Sequence, residues 1–220
     1  MQPRLMTEYC PPAGPLDVLH SDSQLVFVDK PSGLLSVPGK PAEHWDCVEH
    51  RVRQAFAGAL LIHRLDLETS GVMVFALTAR AQKLINQQFE RRIVQKTYLA
   101  RVAGKVEGEE GEIDLPLIAD WPRRPLQKVS FEEGKRSLTR WRVLAREADT
   151  TRLELSPETG RSHQLRVHLK EIGHPILGDP FYAPEEIYRA EARLQLHAHT
   201  LDVRHPDGGD WLTVTAPCPF

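Results

Sequence analysis

The stretch His63-Arg64-Leu65-Asp66-Leu67-Glu68-Thr69-Ser70-Gly71 sets ionisable side chains between apolar ones and ends in small residues. Such a pattern can hold one carboxylate at the floor of a cleft. Directly after it, Val72-Met73-Val74-Phe75-Ala76-Leu77 is a short apolar run between Gly71 and Thr78 that reads as a buried strand, so Asp66 stands at the entry to a rigid element. There it can serve as a nucleophile or stabilise positive charge. The same aspartate can equally cap the Thr69-Ser70-Gly71 turn and pair with Arg64. Two further groups follow, Lys96-Thr97-Tyr98 and Gly160-Arg161-Ser162-His163-Gln164-Leu165-Arg166-Val167-His168.

The elements that must hold these groups follow from local patterns. Leu25 to Val28 reads as a strand leaving through Lys30-Pro31-Ser32-Gly33, and Asp46 to Phe56 as a helix with Val48, Val52 and Phe56 at four-residue steps. Thr78 is placed to cap a helix with Leu84, Ile85, Phe89 and Ile93 toward the core. Strands are expected at Thr97 to Val102, Leu138 to Ala145, Thr151 to Leu155, Leu196 to Val203 and Trp211 to Thr215, and a helix over Ser162 to Ile172. Gly104 to Gly111 reads as an acidic loop and Ala119 to Gly134 as an exposed excursion. Separated strands with few helices indicate an α+β fold with a largely antiparallel sheet.

A chain of 220 residues, 41% hydrophobic, can bury a full core as one domain. Residues 1–15, with Pro3, Pro11 and Pro12, read as a loose leader before a single domain over 16–220, without a separate module in front. No run is long and apolar enough for a membrane span and the start carries no secretion-signal pattern, so a cytoplasmic protein is expected. Three distant cysteines suggest neither disulfides nor metal-ligand spacing. Among ten histidines, His197 with His199 and His163 with His168 could suggest zinc, but no Cys pair or His-Glu-x-x-His accompanies them, and no metal is expected.

The net charge of −2 is not that of a polycation, yet the charges are unevenly distributed. Arg80 to Arg101 holds six basic residues against Glu90 alone, and Trp121 to Arg142 seven against Glu132 and Glu133. Trp121, Arg123 and Arg124 are suited to stacking on or clasping a nucleic-acid loop; Trp121 is as well suited to anchoring a core.

Lys30-Pro31-Ser32-Gly33-Leu34, the stretch around Asp66 and the stretch around Arg166, with Lys96-Thr97-Tyr98 between them, resemble the RluA-type pseudouridine synthases from about Leu16 onward. Asp120-Trp121-Pro122 with Arg124-Pro125 resembles the RluA branch itself, and Ser137 stands where relatives often carry alanine. The resemblance implies a single catalytic domain with a large, mainly antiparallel sheet and a central cleft. Its implied reaction is the isomerisation of uridine to pseudouridine in RNA, without a cofactor. It assigns the nucleophile to Asp66, base stacking to Tyr98, and to Arg166 the guanidinium that keeps the carboxylate ionised and oriented. A phenol with its usual pKa near ~10 is a poor base at pH 7, so stacking is the role expected of Tyr98. Leu165 would pack on the base, Lys30 brace the cleft, and Arg64 fill the space left by the extruded nucleotide. His63, Lys96, Trp121, Arg123 and Arg124 complete the expected RNA contacts, with His63 and His168 alternatively bonding within the sheet. The implied partners are a tRNA anticodon stem-loop and a loop of 23S ribosomal RNA, met by a monomer.

Two other functions fit parts of this pattern. A non-catalytic RNA-binding or chaperone protein would keep the basic stretches but has no need of a carboxylate aimed at a polyanion. A metal hydrolase would use the histidines and respond to chelators.

Overall fold

The computed structural model describes Arg4 and residues 8–220. In chain order the first half carries β1 (Asp17–Ser21), β2 (Leu25–Lys30), α1 (Val48–Ala55), β3 (Leu60–Leu61), β4 (Ser70–Ala76), α2 (Ala79–Glu90) and β5 (Gln95–Ala103). Then come β6 (Glu110–Asp114), β7 (Leu117–Ala119), β8 (Gln127–Val129), β9 (Leu138–Arg146), β10 (Thr150–Pro157), α3 (Gln164–Glu171), α4 (Glu185–Arg189), β11 (Leu196–Arg204) and β12 (Trp211–Thr215). The chain divides into two compact units, one from residues 8–96 with 197–219, the other from 97–196 with Arg4 and Phe220.

In the first unit β4 is the central strand, pairing antiparallel with β2 and β3 and parallel with β11, which pairs in turn with β12. Every residue of β4 is buried, and a strand covered on both faces reads as an unbroken apolar run. Leu25, Phe27, Val72, Val74 and Ala76 share one face, against which α2 lays Ala81 and Ile85. Thr78 caps that helix as expected, its hydroxyl accepting the Ala81 N–H at 3.1 Å. Ile93 falls beyond the helix end and is exposed, so Val94 fills the core position expected of it.

Gly71 marks the tightest point of this sheet. Its φ is +113°, and a Cβ there would lie 2.1 Å from the Ala198 carbonyl oxygen, its partner residue on β11. Only glycine meets both conditions. Gly71→Ala is therefore expected to cost more than about 3 kcal/mol of stability, read by chemical denaturation, because neither backbone can retreat without unpairing β4. A loss under 1 kcal/mol would contradict this packing.

The second unit is built on β5, β10, β9 and β6, each antiparallel to the next. Ala100 and Val102 of β5 and Leu153 and Leu155 of β10 form an apolar face covered by Leu165 and Leu169 of α3. Antiparallel pairing dominates both units, as the strand spacing implied.

Several local expectations need correction. The acidic loop ends at Glu109, since Glu110 and Gly111 already pair in β6, where Trp141 packs over Gly111. The excursion from Ala119 to Gly134 is largely exposed, as expected, and β7 and β8 give it the form of a hairpin around buried Asp120 and Leu126. The turn beside Asp66 lies at Leu67 and Glu68, with Ser70 and Gly71 already inside β4. Where it is described, the leader is tethered: the buried Tyr9 hydroxyl donates to the Asp46 carbonyl at 2.7 Å and accepts the Leu35 N–H at 3.0 Å. Its residues 1–3 and 5–7 lie outside the described residues.

Candidate active site

Asp66 stands in the extended run between β3 and β4, partly exposed, just before a turn closed by the Thr69 N–H on the Asp66 carbonyl at 3.2 Å. The block from Lys30 to Ser36 cradles this segment. Lys30 has no exposed surface, and its Nζ donates to the carbonyls of Pro31 (3.0 Å), Leu67 (2.8 Å) and Thr69 (2.7 Å). The Ser32 hydroxyl donates to the Glu68 carbonyl at 2.7 Å, and the Gly33 N–H to that of Leu67 at 3.0 Å. Ser36 closes the cradle from the other end, donating to the Leu65 carbonyl at 2.7 Å and accepting the Leu65 N–H at 3.1 Å. Backbone groups on both sides of Asp66 are thus clamped, which fixes where its carboxylate can point. Lys30 braces this loop, as the resemblance implied, by filling a carbonyl cage. Exposed Arg64 lies two residues before Asp66.

His63 takes the structural role. Its Nε2 accepts the Val74 N–H at 3.2 Å, which requires an unprotonated nitrogen, and its ring stacks on Phe89 at 5.2 Å. Burial, with a smaller push from the positive charge of Lys96, lowers its pKa to about 4. Unfolded His63 would therefore hold a proton between pH 6.5 and 4 that the folded state refuses, so this contribution is complete above pH 6.5 and lost toward pH 4. Unfolding by urea is expected to show a loss of about 2 kcal/mol between pH 7 and 5 that His63→Gln largely lacks. An identical acid slope in the two proteins would contradict it. Lys96 is affected in the same sense: burial first, then Arg92, lowers its pKa to about 8.

In the other unit Arg166 lies on α3 with 2% of its surface exposed. Its Nε donates to Asp179 Oδ2 at 2.9 Å and its second terminal nitrogen to Oδ1 at 2.6 Å. This fork-to-fork pairing is the geometry that distinguishes arginine from lysine. Asp179 Oδ1 also accepts the N–H groups of Phe181 (2.8 Å) and Tyr182 (3.2 Å), and the guanidinium carbon lies 4.8 Å from the Phe181 ring centre. Asp179 was not singled out in the sequence. Its signal was an acid inside the apolar stretch Ile176-Leu177-Gly178-Asp179-Pro180-Phe181-Tyr182, where a buried carboxylate demands a cation.

Buried Gln164, also overlooked, holds the start of α3 with its whole amide. Oε1 accepts from the Thr159 hydroxyl (2.7 Å) and the Arg161 N–H (3.0 Å), and Nε2 donates to the Leu138 carbonyl and to Thr139 Oγ1, both at 3.0 Å. Leu165 belongs to the apolar face over β5 and β10, which Tyr98 flanks from β5. His168 is fully buried between Thr139 Oγ1 and the Leu115 carbonyl, each 3.0 Å away, and burial lowers its pKa. It bonds within the fold.

On the β7–β8 hairpin Trp121 is 64% exposed, so it does not anchor a core. The Arg124 guanidinium lies over its ring at 3.1 Å, whereas Arg123 is turned inward onto the Asp120 carboxylate at 2.5 Å. An exposed indole beside a free-standing cationic plane suits the stacking of unpaired bases. His197 and His199 both contact the Ala216 carbonyl, at 3.2 and 2.9 Å. Among the described residues, no group of three His, Cys, Asp or Glu side chains could hold a metal ion. Among the same residues no helix is long and apolar enough to cross a membrane.

Residues 24–171 match the family described as RNA pseudouridylate synthase. The chain is 50% identical over 217 residues to a Vibrio cholerae protein named Dual-specificity RNA pseudouridine synthase RluA, covering 98% of this chain and 88% of that one. It is 49% identical to the protein of the same name from Escherichia coli K12, covering 98% and 99% of the two chains. Among solved structures, Human RNA Pseudouridylate Synthase Domain Containing 1 superposes with a TM-score of 0.79 at 27% identity, over 96% of this chain and 87% of that one. The chain belongs to the RNA pseudouridylate synthase family, in its RluA branch, and its reaction is the isomerisation of uridine in RNA.

Proposed function

We propose that this isomerase modifies uridines in two kinds of hairpin loop, a tRNA anticodon stem-loop and a loop of 23S ribosomal RNA, with Asp66 as its nucleophile. The observation that carries the assignment is the clamped loop: the backbone on either side of Asp66 is held by Lys30, Ser32, Gly33 and Ser36, a rigidity that a merely solvated aspartate does not need. The relatives' shared name supports two RNA substrates.

The chemistry is balanced without an added reagent. The N1–C1′ bond breaks, the uracil turns, a C5–C1′ bond forms, C5 loses its proton and N1 gains one. Asp66 attacks or stabilises the electron-poor sugar carbon while the base is free. By the resemblance, Arg166 takes the role of the orienting cation, Tyr98 that of stacking on the uracil, and Leu165 that of packing on the base. Arg64 enters the gap left by the extruded nucleotide, which costs less to open in a loop than in a paired stem. Lys96, Trp121 and Arg124 hold the flanking RNA, and Arg123 shapes the hairpin through Asp120. The protein works as a cytoplasmic monomer.

Mapping pseudouridines in total RNA from cells with and without the gene tests the dual substrate. The expected outcome is loss of one modification in an anticodon stem-loop and one in 23S RNA, both restored by the gene. Loss confined to one RNA class would reduce the proposal to a single-substrate enzyme.

A further inference from the structure

His163, at the start of α3, has φ +54°, a left-handed conformation uncommon for a residue with a side chain. The helix end does not need it: the His163 side chain makes no capping bond, and Gln164 already anchors this end through Thr159, Arg161, Leu138 and Thr139. The imidazole instead meets Tyr182, with Nδ1 2.7 Å from the phenol oxygen. That oxygen also accepts the Gln127 N–H at 2.9 Å. Gln127 is the first residue of β8.

Tyr182 is buried, and its ring packs with Leu117, Leu126 and Val167, between the hairpin and α3. Its own N–H donates to Asp179, the carboxylate that grips Arg166. One tyrosine therefore reaches the hairpin, the strained helix start and the counter-ion of the guanidinium. Strain of this kind persists only where surrounding contacts impose it.

We infer that His163 and Tyr182 are positioning residues, whose hydrogen-bonded link holds the β7–β8 hairpin in a fixed relation to Arg166, so that RNA grip and guanidinium alignment are set together. The inference rests on the roles proposed above for Arg166 and for the hairpin. Neither residue needs to touch the reacting atoms.

The test uses His163→Asn, which accepts the left-handed backbone but is too short to reach the phenol, and Tyr182→Phe, which keeps the ring and loses the hydroxyl. Each is expected to lower kcat/KM on an RNA hairpin about tenfold, with the double variant no worse than the weaker single one. The unfolding midpoint of His163→Asn should stay level or rise, and the Gln127 amide should exchange faster in both variants. Full activity in both single variants, or losses that merely follow a lowered midpoint, would overturn the link. Arg166→Lys, measured alongside, separates the two levels: a fully active lysine enzyme removes the role given to the guanidinium, while Gln127 exchange still reports whether the link exists.

Discussion

Asp66→Asn is expected to reduce the single-turnover rate on RNA by at least about 10³-fold while RNA affinity stays within a few-fold of wild type. The substitution exchanges one oxygen for an amide nitrogen of nearly the same size, so the cradle around the loop is untouched. Leu65 stays locked on Ser36, and Leu67 and Thr69 on Lys30. What disappears is the negative charge and the nucleophilic oxygen. A binding protein that merely kept the fold would not register the change, whereas an enzyme whose covalent or charge-stabilising step runs through Asp66 loses that step. Circular dichroism and filter binding are the controls for fold and affinity. A rate within tenfold of wild type would remove Asp66 from the chemistry.

Lys30→Met is expected to damage both stability and turnover. The methionine fills much of the same volume but leaves the carbonyls of Pro31 and Thr69, 3.0 and 2.7 Å from Nζ, without that donor in a fully buried site, while the Leu67 carbonyl keeps the Gly33 N–H. Stranding buried acceptors costs about 1–3 kcal/mol each, and about 4 kcal/mol in total is expected, a fall in Tm of roughly 10 °C for a chain of this size. Because Leu67 and Thr69 flank Asp66, turnover measured well below the new Tm should fall about 10²-fold, the cost of misplacing a reacting group by about an ångström. A variant that melts early yet turns over normally when cold would show that Lys30 stabilises the unit without positioning Asp66.

What could be read directly from the sequence was local. Val72 to Ala76 is one apolar run, and Thr78 begins a helix by a bond to a residue three positions on. Both β4 and α2 were legible for that reason. The features that escaped depend on distant partners. Lys30 was expected to brace the cleft through the resemblance alone, because two of the three carbonyls that close around it lie 37 and 39 residues away. Asp179 acquires its meaning from Arg166, 13 residues earlier, and His163 from Tyr182, 19 residues later. The hairpin of β7 and β8 was hidden because strands of three residues are too short to show a period. Ile93 followed the helical spacing of α2, but the helix stops at Glu90 and the chain has turned by then. The motif residues Asp66, Tyr98 and Arg166 stood out by type and order; the groups that fix their surroundings did not.

Release of tritium from RNA labelled at C5 of uridine reads the proton that must leave when the new carbon–carbon bond forms. Wild-type protein is predicted to release one equivalent per target uridine, and Asp66→Asn, folded and RNA-bound, none on the same timescale. Equal release by the two proteins would contradict the central claim that this carboxylate carries the reaction.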